Sequence, residues 1–126
     1  LLLKRTTFMK ILSRSITIDE YVPAYLDLWM GPFSLTEKEK KVLIELLTIY
    51  LKLESDGLLP IYINKLLFST ESRKIVRENI KISEAGLNNY FTQLKEKGVI
   101  LEDGKELSIN SFVVPIKEIT FKFNIV

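Results

Sequence analysis

Residues 82–104 read ISEAGLNNYFTQLKEKGVILEDG, and their punctuation decides the fold. Ser83 has the side chain to accept a free backbone N–H at a helix start. After it, Leu87, Tyr90, Phe91 and Leu94 recur at the spacing of one helix face. That spacing predicts a helix over 84–97. Gly98 provides the left-handed stop at its end. Asp103-Gly104, set between short apolar runs, predicts a β-hairpin immediately afterwards.

Upstream, Ser69 or Thr70 can cap a helix over Glu71–Asn79, with Ile75 and Val76 expected to face inward. Pro60, at a first helical position, predicts a shorter helix through Phe68. Thr36 followed by Glu39 forms a capping box, so a helix is expected over about 37–53, ending before Asp56-Gly57. From Val42 on that helix is nearly all apolar: only Glu45, Thr48 and Lys52 interrupt VLIELLTIYLKL, and they fall on one stripe. A short helix over Asp19–Met30 precedes it, in which Tyr21, Tyr25 and Trp29 form a core-facing stripe. Gly31-Pro32 reads as a chain break after that helix. Short strands are expected within TTFMKILSRSITI (residues 6–18). At the other end EITFKFNIV alternates, with Ile119, Phe121 and Phe123 on one face of a half-buried strand. This strand can pair with the N-terminal one or add to a sheet edge of another subunit, and both readings stay open. The chain thus divides into an N-terminal appendage (1–33), a central unit (34–111) and a C-terminal strand (112–126). The class is α+β, mainly helical.

A length of 126 residues and an apolar content of 47% suit one domain with a real core. There is no cysteine and no histidine, which excludes disulfides, thiol nucleophiles, Cys/His zinc sites and imidazole acid–base chemistry. No metal or cofactor is expected. No apolar run has the roughly 18 residues of a membrane span, and LLLKR is too short for a signal-peptide core, so a cytoplasmic setting is expected. The net charge is +2, but residues 34–111 carry twelve basic and twelve acidic side chains and are neutral. A strong nucleic-acid binder ordinarily carries a basic stripe. The paired carboxylates Asp19-Glu20 and Glu102-Asp103 have no nucleophile, base or metal-ligand partner nearby and read as a cap and a turn. There is no glycine-rich phosphate loop. No catalysis is expected.

The order of helix, short helix, turn, capped helix, glycine and hairpin resembles a winged helix-turn-helix. The segment RKIVRENIKISEAGLNNYFTQLKEKGVI (residues 73–100) and the hairpin after it are similar to MarR-like winged-helix regulators. In those proteins a capped recognition helix ends in L-x-x-K-G-x-I, here Leu94, Lys97, Gly98 and Ile100. The resemblance implies double-stranded DNA as partner. It places Asn88, Asn89, Thr92 and Gln93 outward toward base edges, with Glu84 and Gly86 on the same side and Lys95 and Lys97 near the far end. Asn and Gln pair with adenine and Thr can touch a thymine methyl. Gly86 would leave room for a backbone to approach, and Ser83 with the helix N-terminus would hold a phosphate. Arg73, Lys74, Arg77 and Lys81 form the basic cluster on the preceding helix and turn.

Two features depart from the usual family pattern. The hairpin tip carries Glu102, Asp103, Lys105 and Glu106 and is net negative, and the recognition helix has no arginine. The plainer reading of the Asn and Gln row is a solvated helix face, and Lys74 with Glu78 fits an ordinary surface ion pair. The sequence therefore supports two functions. One is a small DNA-binding regulator or accessory factor of prokaryotic or phage type. The other is a structural or adaptor subunit, for example of a phage particle, that docks protein and oligomerises through Ile119, Phe121 and Phe123. Lysine outnumbers arginine fourteen to four, as in AT-rich genomes.

Overall fold

The computed structural model describes residues 18–115, less the side chains of residues 18, 19 and 28–30. The strands expected near residues 6–18 and 118–126, and the interface residues Ile119, Phe121 and Phe123, lie outside the described residues. Within them the chain is mainly helical with one two-stranded antiparallel hairpin, an α+β arrangement.

Helix α1 spans Ile18–Phe33, longer at both ends than its sequence suggests. Pro23 and Pro32 both lie inside it, so Gly31-Pro32 is not a chain break. Tertiary packing accounts for the difference. Val22 and Leu26, one turn apart, are fully buried in the same core as the helices that follow, and Tyr25 is nearly so. Pro32 is the second-last residue, so the hydrogen bond that its missing N–H removes belongs to the last turn alone. The reversal comes at Ser34, whose φ of 52° is unusual for a residue with a side chain. Tyr21 and Tyr25 pack with ring centroids 6.0 Å apart.

Helix α2 spans Glu37–Ser55 and is the hub. Its capping box forms as its sequence requires: Glu39 N–H donates to Thr36 Oγ1 (3.2 Å) and Thr36 N–H to Glu39 Oε1 (2.8 Å). Val42, Leu43, Leu46, Leu47, Tyr50 and Leu51 are buried. They make a broad apolar face against which α1, α3 (Pro60–Leu67), α4 (Thr70–Ile80) and α5 (Glu84–Glu96) pack. Burying one such leucine contributes roughly 2 kcal/mol. Helix α3 anchors through Ile63 and Leu67, four apart. In α4 the inward stripe is Ser72 and Val76, and Ile75 points away, 42% exposed. Val76 lies one turn after Ser72, whereas Ile75 falls about 100° round the helix from Val76.

The hairpin pairs β1 (Ile100–Asp103) with β2 (Glu106–Ile109), and Gly104 takes the turn at φ 64°. Ile100 faces Ile109 at its base, and both are buried. Asn64 of α3 accepts a hydrogen bond from Ile109 N–H at 2.9 Å, tying the outer edge of β2 to the helices. A 3-10 turn, Ser111–Val113, follows and puts Val113 into the core.

Candidate nucleic-acid interface

Helices α4 and α5 meet through the short turn Lys81–Ser83. Lys81 closes α4 in the left-handed conformation, φ 56°, and its N–H bonds to Arg77 O. Ser83 opens α5, its hydroxyl accepting from Gly86 N–H at 3.0 Å. A Cβ on Gly86 would meet Ser83 Oγ at 3.3 Å and Ile82 Cβ at 3.7 Å. A side chain at Gly86 would therefore crowd the chain's own cap, and Ser83 Oγ would have to give by a few tenths of an ångström. Leu87, Phe91 and Leu94 turn inward and fix the rotation of α5 about its axis. That rotation exposes Asn88, Asn89, Thr92 and Gln93 together, two adjacent rows one helical turn long. Thr92 Oγ1 donates to Asn88 O at 3.0 Å, inside the helix's own ladder.

The basic residues divide into committed and free ones. Arg73 Nε donates to Phe68 O at 3.1 Å, and its guanidinium lies over the Phe91 ring, 5.4 Å from the centroid. Phe68 meets the same ring edge-on at 5.6 Å. Arg73 thus braces the packing of α4 on α5. Arg77 is half-buried, and its Nε has no hydrogen-bond partner among the described residues. Lys74 and Lys81 are exposed, and no salt bridge joins Lys74 to Glu78. Lys95 Nζ lies 3.6 Å from Glu102 Oε2, linking α5 to the hairpin. Lys97 turns away from the outer face and donates to Ser34 O at 2.7 Å and to Glu39 Oε1.

Glu39 is 1% exposed. Burial pushes its carboxyl up, but the hydrogen bond from Lys97 and those from the Thr36 backbone and hydroxyl outweigh burial together, and its pKa lies below the ordinary value. This pair locks the start of α2 to the end of α5. The capping box singles out Glu39 in the sequence, but nothing signals a partner 58 residues away. Asn64 likewise carries no signal of its role at the hairpin edge.

Around this face the chemistry changes. Glu102, Asp103, Lys105 and Glu106 at the hairpin tip are all exposed. Beside the hairpin, Leu59, Ile61, Tyr62 and Leu66 stand on the outside of α3, between 45% and 63% exposed. Among the described residues no group of His, Cys, Asp or Glu is placed to hold a metal ion, and no helix is long and apolar enough to cross a membrane. No protein-family model, curated protein or solved structure matches the chain.

Proposed function

We propose that the chain is a small winged-helix protein that binds double-stranded DNA without catalysis, as a regulator or accessory factor of prokaryotic or phage type. The observation that carries this reading is the exposed row Asn88, Asn89, Thr92 and Gln93 on the second of two helices joined by a tight turn, with a hairpin directly after it. Helix α5 would lie in the major groove, where amide side chains pair with base edges. Lys74, Arg77 and Lys81 on the neighbouring helix and turn would meet phosphates, and Ser83 the backbone near the start of α5. Arg73 supports the site from behind through Phe91.

A second reading rests on a different surface. The apolar row on α3 and the acidic hairpin tip favour a protein-docking adaptor that uses the same scaffold for assembly. Fluorescence anisotropy of a labelled mixed-sequence duplex separates the two. The DNA reading expects saturable binding by the full chain, weakened by Lys74→Ala on every sequence and made less sequence-selective by Asn89→Ala. Binding that ignores both substitutions contradicts it.

A further inference from the structure

The outer face of α5 has an unusual inventory for a DNA-facing helix. Its cations lie off the row: Lys95 sits toward Glu102 of the hairpin, and Lys97 turns back to Glu39 and Ser34. Arg73, the arginine beside it on α4, is held by Phe68 and Phe91. No free guanidinium or ammonium therefore stands on the row to grip guanine O6 and N7, the commonest specific contact in the major groove. The exposed amides of Asn88, Asn89 and Gln93 each offer one donor and one acceptor side by side, the complement of adenine N7 and N6–H2. The hydroxyl proton of Thr92 is given to Asn88 O, so the side chain keeps an acceptor oxygen and a methyl, the latter the complement of the thymine C5 methyl.

We infer that α5 reads adenine–thymine pairs, and reads them in the major groove. The inference rests on the DNA-binding reading above and narrows it to one substrate class. The amides and the methyl address the two halves of one base pair, so the preference comes from the row as a unit. Few free cations surround it, so phosphate contacts supply less of the affinity and base contacts correspondingly more.

Competition separates this from its alternatives. The full chain binds a labelled mixed-sequence duplex at about 50 mM salt, and unlabelled alternating A·T, G·C and inosine·cytosine duplexes displace it. Inosine lacks the 2-amino group of guanine. An I·C pair therefore looks like A·T in the minor groove and like G·C in the major groove. The expected result is that the A·T duplex competes about ten-fold better than either G·C or I·C. Asn89→Arg, on an exposed position, should move the preference toward G·C and I·C together. If I·C competes as well as A·T, recognition lies in the minor groove and the inference is wrong. Equal competition by all three, or a preference for G·C, also overturns it while leaving DNA binding in place. Failure to bind the labelled duplex removes both the inference and the reading beneath it.

Discussion

The inner end and the outer face of α5 are made of similar polar residues put to opposite uses. At the inner end Lys97 is turned back to Ser34 and to a carboxylate that is almost wholly buried. On the outer face Asn88, Asn89 and Gln93 stand in solvent with no side-chain hydrogen bond among the described residues. A charge withdrawn from water must be paired or it destabilises the fold, whereas exposed amides cost nothing to leave open. The comparison shows that polarity alone does not mark a recognition residue. What distinguishes the two groups is whether the fold already uses the side chain.

Removing Lys97 breaks the contrast most severely. Lys97→Met leaves the Glu39 carboxylate buried without its counter-charge. A loss of about 2–3 kcal/mol is expected in urea unfolding near neutral pH, at or below the lower end for buried pairs because Lys97 itself is partly exposed. The pH dependence carries a sign. Folding lowers the Glu39 pKa, so its stabilisation is fully present above the ordinary carboxylate value and is lost as pH falls below about 4. Lys97→Met removes the Lys97 share of that lowering and leaves the Thr36 hydrogen bonds, so the variant's deficit should shrink as pH falls and Glu39 becomes protonated in both proteins. A variant whose deficit stays constant from neutral to acid pH contradicts this account.

Arg73→Ala tests the intermediate case, a basic residue drawn from the sequence as a phosphate contact and used by the fold as a brace. It gives up the bond to Phe68 O and the stack on Phe91, a loss of about 1–2 kcal/mol read as a lowered Tm. No change in Tm would mean that the brace is unimportant. On the open face the effects move from stability to binding. Asn89→Ala should leave unfolding within about 0.5 kcal/mol of the native chain and reduce selectivity among duplex sequences, measured by anisotropy. Smallest of all is Glu102→Gln, which releases Lys95 from a largely solvated ion pair. Stability should hardly change. DNA affinity should rise by about two-fold as the hairpin loses an anion.

The elements themselves were legible wherever a cap and a periodic stripe coincided. Thr36 with Glu39, Ser83 with Leu87, Phe91 and Leu94, and Asp103-Gly104 are local signals, and local signals survive folding. The punctuation failed where packing overrode it. Two prolines and a glycine around residues 23–32 read as interruptions, but burial of Val22 and Leu26 against α2 carries the helix through to Phe33. Ile75 departs for the opposite reason: its hydrophobicity points to the core, but its angular position on α4 turns it outward. Within the candidate site, the outward row was visible in the sequence because it is the complement of the buried stripe. The commitments of Arg73, Lys95 and Lys97 were not, because their partners come from other elements of the chain. Gly86 is the reverse case, because its closest neighbours, Ser83 and Ile82, belong to its own cap and turn.

The salt dependence of duplex binding tests the central proposal most directly. With Lys74, Arg77 and Lys81 as the phosphate contacts, a plot of log affinity against log salt between about 50 and 200 mM should fall with a slope of about −2 to −3. No detectable binding at the low-salt end would contradict the proposal, and the apolar face of α3 would then be the surface to pursue.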